Sequence, residues 1–202
     1  MFVLSEEILI GAFYKQIQDP IEFVYVDNTT YSPQNLGNAT IGGIELTCTK
    51  YWGNFGVTGN YTYIKSNISS PKSFTDLVAG TTTQKLQSRP MQGQTDNTLN
   101  VSLLYKNEKK KVFVQLAYQY LGKSLAIVYP IYGADYYQQP QSSLSLSAEK
   151  DLNNHFIAFG KFNNLLNTTT TTKINSLIGI SDTYRPSYSL GLRYSYEQTK
   201  IE

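Results

Sequence analysis

The sequence predicts an all-β chain of antiparallel transmembrane β-barrel strands, about eight of them, and three observations carry the prediction. Tyr188-Ser189-Leu190-Gly191-Leu192-Arg193-Tyr194-Ser195-Tyr196 has an aromatic residue or leucine at every second position, with Ser, Gly, Arg and Ser between. A period of two turns the first set to one face of a strand and the second to the other. The same alternation recurs along the chain with little charge, since charged residues make up only 16% of it. The links between these segments are by turns short and long, as outer-membrane barrels alternate tight periplasmic turns with long external loops.

The predicted strands fall near Glu7–Asp19, Ile41–Tyr51, Phe55–Ser66, Asn97–Lys106, Lys111–Leu121, Ser142–Lys150, Phe156–Asn164 and Ser187–Tyr196. Trp52-Gly53-Asn54, Asn107-Glu108-Lys109-Lys110 and Asp151-Leu152-Asn153-Asn154 form the short links, where Gly and Asn accept the positive φ of a tight hairpin. The long links run roughly over Pro20–Thr40, Asn67–Asp96, Gly122–Gln141 and Leu165–Pro186 and are expected outside the membrane.

Each strand has two chemically distinct faces. In the fourth, Leu99, Val101, Leu103 and Tyr105 oppose Asn100, Ser102 and Lys106, with Leu104 out of pattern. In the fifth, Val112, Val114, Leu116, Tyr118 and Tyr120 oppose Gln115, Ala117 and Gln119, with Phe113 out of pattern. The lipid-facing set is therefore expected to include Leu99, Val101, Leu103, Val112, Val114, Leu116, Tyr118, Tyr188, Leu190, Leu192, Tyr194 and Tyr196. Tyr at strand ends matches the aromatic girdles of the lipid–water boundary. The opposite face is expected to carry Lys15, Lys50, Lys161, Arg193, Glu45 and Glu149 into a hydrated lumen or near strand ends. The competing arrangement, a soluble antiparallel sandwich, explains neither the alternating links nor the strand-end Tyr.

Composition closes off several functions. A net charge of +2 without a clustered basic element gives no nucleic-acid footprint, and Lys109-Lys110-Lys111 reads as a solvated turn. One Cys, Cys48, excludes an internal disulfide framework, and one His with one Cys cannot build a usual zinc site, so no cofactor is expected. No phosphate loop, zinc-protease motif or nucleophile elbow occurs, His155 belongs to a hairpin turn, and no enzyme is predicted. No apolar run is long enough for a transmembrane helix, which says nothing about barrel strands. The start Met1-Phe2-Val3-Leu4-Ser5-Glu6-Glu7 lacks the features of a secretory leader, so the chain is read as part of a longer one.

Four motifs add a family. Gly11-Ala12-Phe13-Tyr14-Lys15-Gln16-Ile17-Gln18-Asp19-Pro20-Ile21-Glu22 resembles the "FYK-x-I-x-DPI" strand of TonB-dependent outer-membrane receptors. Pro33-Gln34-Asn35-Leu36-Gly37-Asn38-Ala39 with Gly43-Ile44-Glu45-Leu46, then Arg89-Pro90-Met91-Gln92-Gly93-Gln94, then Asn163-Asn164-Leu165-Leu166-Asn167, resemble three later stations of that family in its order. The resemblance implies a C-terminal segment, residues 1–196, of a barrel of about 22 strands enclosing a plug. A short polar tail, 197–202, follows the aromatic residue on which such chains usually end. Implied partners are outer-membrane lipid, the N-terminal barrel and plug missing from this chain, and the TonB system only through that plug. The implied localisation is the cell outer membrane.

The implied function is the wall and outer vestibule of a receptor for TonB-dependent uptake of a nutrient such as an iron chelate or a glycan. The alternative is a self-contained eight-stranded barrel with a structural or adhesive role; an outer-membrane enzyme would need Asp135 at the loop rim. A ligand site is expected in the external loops, from Tyr129, Tyr132, Asp135, Tyr136 and Tyr137, with Arg89 and Arg185 as cations able to hold an anion. The run Thr168–Thr172 is expected to be plain polar loop.

Overall fold

A computed structural model of the chain describes residues 6–27, 29–194 and 196. The start up to Ser5 and the polar tail 197–202 lie outside the described residues. Eight strands make one antiparallel wall: β1 (Glu7–Ile17), β4 (Ala39–Trp52), β5 (Phe55–Asp76), β7 (Asn97–Asn107), β8 (Val112–Leu121), β11 (Gln141–Asp151), β12 (Phe156–Asn163) and β15 (Ser187–Tyr194). They pair in chain order and match the predicted strands one for one. Among the described residues the sheet is open, with β1 at one edge and β15 at the other.

The other strands occupy the long links, which are therefore not irregular loops. β2 (Ile21–Tyr25) and β3 (Tyr31–Asn35) form a hairpin, and β6 (Thr81–Arg89) pairs with the outer half of β5. β9 (Ser124–Ile127), β10 (Tyr136–Gln138), β13 (Thr169–Ile174) and β14 (Leu177–Thr183) build a separate four-stranded sheet. The Thr168–Thr172 run, expected as loop, supplies most of β13. Its β-branched residues suit a strand, and Thr169–Thr183 and Thr171–Ser181 hydroxyls meet across the pair at 2.9 and 3.3 Å. β5 also outruns its predicted end at Ser66. Pro71 is tolerated in it because β4 has already ended at the Ala39–Ile68 pair, so no strand there needs its missing N–H.

The register separates two faces without a slip. One carries Ile8, Ile10, Ile44, Leu46, Val57, Leu99, Val101, Leu103, Val114, Leu116, Leu144, Leu146, Leu190 and Leu192. All the residues assigned to lipid from the described strands share this face, and Ile10 and Leu190 are each 77% exposed on it. Phe55 against Tyr105 and Phe156 against Tyr194 border it at the short-turn end, with ring centroids 5.1 and 5.3 Å apart. Tyr14, Tyr63, Tyr120 and Tyr188 lie toward the other end.

The second face is polar and hydrogen-bonded across strands. Asn100 donates to Asn60 at 2.9 Å, Gln119 donates to Asn100 at 3.0 Å, and Arg193 reaches Glu149 at 3.2 Å. Lys15, Glu45, Lys161 and Phe113 project on this side. Lys50 does not: its pairing with Val57 puts it on the apolar face, two residues from the turn, where it meets Glu6 at 3.2 Å. That placement corrects its grouping with Lys15 and Arg193. A one-residue difference in parity decides the face, and the register, not the side-chain charge, sets that parity.

The buried apolar residues are Val24, Ala39, Ile41, Ile68, Leu125 and Val128. They gather at the long-link end, while Ile8, Ile10, Ile44, Leu103, Leu190 and Leu192 of the wall stand exposed. A soluble sandwich would do the reverse.

Candidate functional site

The long links fold inward over the polar side of the β5–β6 hairpin. There Ile68, Ser70 and Lys72 of β5 stand opposite Arg89, Gln87 and Lys85 of β6. The β2–β3 hairpin and the segment from Leu125 to Tyr132 cover them. Backbone bonds join the layers: Tyr25 N–H donates to the Val128 carbonyl at 3.0 Å, and Ser73 N–H to the Pro130 carbonyl at 2.9 Å. The segment around Pro130 thereby takes the free edge of β5 beyond β4.

Two buried ion pairs clamp the assembly. The guanidinium of Arg89 grips Glu22 with Nη2 2.7 Å from Oε2 and Nη1 3.3 Å from Oε1, and Gln92 N–H adds a 2.7 Å bond to Oε1. Gln92 then ties the layers further, its Oε1 accepting from Phe23 N–H and its Nε2 donating to the Ala126 carbonyl, both at 3.0 Å. The second pair is Lys72 with Asp135, each side chain 2% exposed. Asp135 also accepts from Tyr129 N–H at 2.9 Å and from Gln87 Nε2 at 3.1 Å. Burial pushes the Lys72 ammonium below its ordinary value of 10.5, and the Asp135 carboxylate opposes that shift.

Sequence reasoning picked Arg89 and Asp135 as groups for a ligand, and the structure spends both on the fold. Arg89 is 3% exposed and Asp135 2%, with their charges met by Glu22 and Lys72. The anion-holding role of Arg89 and the rim position of Asp135 are thus corrected, because a buried charge needs its own counter-charge. Glu22, Lys72, Gln87 and Gln92 were missed. The available signal was that Glu22 closes the first family motif and Arg89 opens the third.

The tyrosines divide into three places. Tyr129 joins an aromatic ladder, with ring centroids 5.7 Å apart for Phe23–Tyr31, 5.1 Å for Tyr25–Tyr31, 5.1 Å for Tyr25–Tyr129 and 6.1 Å for Tyr129–Tyr136. Tyr132 instead meets Phe74 edge-on at 5.9 Å, beside the Lys85 ammonium, which lies 3.7 Å from the Phe74 centroid. Tyr137 packs under the Lys123 ammonium at 4.2 Å, its phenol pushed upward by burial and by the Asp135 charge. Arg185 is exposed in the link from β14 to β15. Phe23 and Tyr31, 51% and 49% exposed, leave that end of the ladder uncovered.

Among the described residues no cluster of His, Cys, Asp or Glu fits a metal ion. Arg89 Nε, Gln94 Oε1 and Asp96 Oδ1 are buried with no hydrogen-bond partner in the protein.

Comparison with known proteins agrees with this architecture. The family model described as TonB dependent receptor-like, beta-barrel, matches residues 7–165. The solved structure of the siderophore receptor PiuA from Acinetobacter baumannii superposes with a TM-score of 0.64 at 16% identity, over 93% of this chain and 26% of that one. The chain thus spans about a quarter of the receptor it resembles. No curated protein sequence matches. With an open all-β wall, an exposed apolar face and a match over most of its length, the chain is part of an outer-membrane receptor barrel rather than an enzyme, and it belongs to the TonB-dependent receptor β-barrel family.

Proposed function

We propose that the chain is the wall and outer-vestibule segment of a receptor that takes up a nutrient in a TonB-dependent way. The observation that carries this reading is the clamped inward fold of the long links, which holds an aromatic ladder above the polar face of an open wall. Rigid Tyr and Phe rings offer contact area at low entropic cost, suited to an iron chelate with aromatic groups or to a glycan. That the structural neighbour is a siderophore receptor favours the iron chelate.

Under this reading Leu99, Val101, Leu103, Val112, Val114, Leu116, Tyr118, Tyr188, Leu190, Leu192, Tyr194 and Tyr196 face lipid, and the polar face looks into the lumen. Earlier barrel strands pair with the free edges of β1 and β15. A plug belonging to the same receptor fills the lumen and couples to TonB. Among the earlier candidates, Tyr129 and Tyr136 stay in the ligand site, Tyr25, Tyr31 and Phe23 join it, and Tyr132, Tyr137 and Arg185 lie outside the ladder.

The test is titration of the receptor carrying these strands with a panel of ferric chelates and oligosaccharides, by calorimetry. One class should bind, and Tyr25→Ala with Tyr129→Ala should weaken it about tenfold or more. Unchanged affinity in both variants would remove the ladder from the ligand site.

A further inference from the structure

The wall has a gap at its outer end. β7 pairs with β5 as far as Asn97 and Tyr63, and β6 takes over only at Arg89 and Ile68. Residues 64–67 of β5 therefore face no strand on that side. Ile64 N–H donates to the Asp96 carbonyl at 2.9 Å, and the two-residue alternation turns the backbone polar groups of Ser66 the same way. A cavity of about 490 Å³ opens here, lined among others by Lys65, Asn67, Ser88, Asp96, Lys123 and Tyr137.

Its charge is unbalanced. Among the described residues neither Lys65 nor Lys123 has a carboxylate within ion-pair distance. The carboxylate on the cavity wall, Asp96, keeps Oδ1 buried where a side chain on Gly122 would collide with it. The Ser88 hydroxyl donates to Asn67 Oδ1, leaving the Asn67 amide N–H groups available.

Height places the cavity at an interface. Lys65 shares the apolar-face parity of Phe55, Val57, Tyr61 and Tyr63. Ten residues of strand beyond Phe55 make about 34 Å of length, or about 24 Å of height at a tilt near 45°, against an apolar band about 25 Å tall. Lys65 is therefore level with headgroups, just above Tyr63. A second depression of about 380 Å³ shares Tyr63, Lys65, Ser66 and Asn67 with the first, and continues over Gly42 between Tyr14 and Ile44. A cationic hollow above and an apolar trough below have the shape of an amphiphile.

We propose that these joined depressions seat one phosphate-bearing lipid of the outer leaflet. Its phosphate lies between Lys65 and Lys123 with hydrogen bonds from the Asn67 amide N–H groups, and an acyl chain runs down over Gly42. The proposal rests on the apolar face being the lipid face. Point-charge lysines beside a tyrosine girdle suit a headgroup phosphate, to which each contributes on the order of one membrane-surface charge contact.

The experiment is native mass spectrometry of the receptor carrying these strands, delipidated in mild detergent. It is titrated with a phosphorylated glucosamine lipid, the same lipid after dephosphorylation, and inorganic phosphate. The phosphorylated lipid should be retained, and both its dephosphorylated form and the Lys65→Gln/Lys123→Gln variant should bind about tenfold more weakly or worse. Gly42→Phe, which fills the trough and leaves the charges, should also weaken retention. Equal binding by the double variant or by the dephosphorylated lipid overturns the site. Full competition by inorganic phosphate makes it a free-anion site and overturns the lipid. A nitroxide on Val101→Cys separates the two levels. If its collisions report water, the lipid-face reading falls and takes this site with it; if they report lipid while the lysine variant binds unchanged, the site alone falls.

Discussion

Arg89 and Glu22 lie 67 positions apart and meet in a two-pronged ion pair, with Nη2 2.7 Å from Oε2. The pair pins the β2–β3 hairpin to β6. Glu22→Gln leaves a buried guanidinium without its counter-charge, at a cost of about 3 kcal/mol. Amide exchange in Ile21–Asn35 should then accelerate about a hundredfold, while exchange in the wall stays slow. The Glu22→Leu/Arg89→Met double variant should recover much of that protection. Equal loss in the single and double variants would show that the charges are not coupled.

Asp135 does the same for the segment after Tyr129, through Lys72, Gln87 and the Tyr129 amide. Asp135→Asn strands the Lys72 ammonium, whose folded-state pKa already lies below 10.5. The unfolded state then holds its proton more tightly than the folded one, so stability of the variant should rise with pH toward 10.5. The deficit against wild type should be largest at neutral pH and shrink on the alkaline side. Thermal unfolding of the receptor across that range checks the sign.

On the polar face, the Phe13 ring packs against Gly43 of the next strand. A Cβ on Gly43 would come within 2.6 Å of both the Phe13 ring and the Tyr63 carbonyl oxygen. Gly43→Ala should cost about 1–3 kcal/mol, because a backbone atom cannot step aside as a side chain can. Gly11→Ala, where the nearest contact would be 4.0 Å, is the control. The shift in heat-modifiable migration should separate the two.

The turn after β2 is sensitive to acid. Asp27 accepts from the amides of Thr29 and Thr30 at 2.7 and 2.6 Å, which lowers its pKa from 3.8 to about 2. A depressed carboxylate pKa stabilises the turn fully above 3.8 and loses that contribution as pH falls toward 2. Amide exchange at Thr29 and Thr30 should quicken over that window, and Asp27→Asn should abolish the pH dependence.

The wall was legible because lipid and lumen impose opposite chemistry on alternate residues. Leu99, Val101 and Leu103 announce their face, and each short link announces its turn. β6 and β13 were not legible. Thr81–Arg89 and Thr169–Ile174 carry polar side chains on both faces, so no apolar alternation marks them. Lys50 was placed by its charge, whereas its register with Val57 decided its face. The tyrosine-rich stretch joins the inward-folded links, where Tyr129 and Tyr136 stack in the aromatic ladder. The roles of Arg89 and Asp135 were misread because charge in a loop was taken as charge in solvent.

Alone, then, the sequence determined the eight wall strands, their order and their two faces, since period-two patterning is a local property of neighbouring residues. Only the tertiary structure decided that the long links fold inward, that Glu22 meets Arg89 and Lys72 meets Asp135, and that the sheet parts between Tyr63 and Ile68. The two ion pairs join residues more than 60 positions apart. Burial, which no local pattern records, turned exposed-looking charges into clamps.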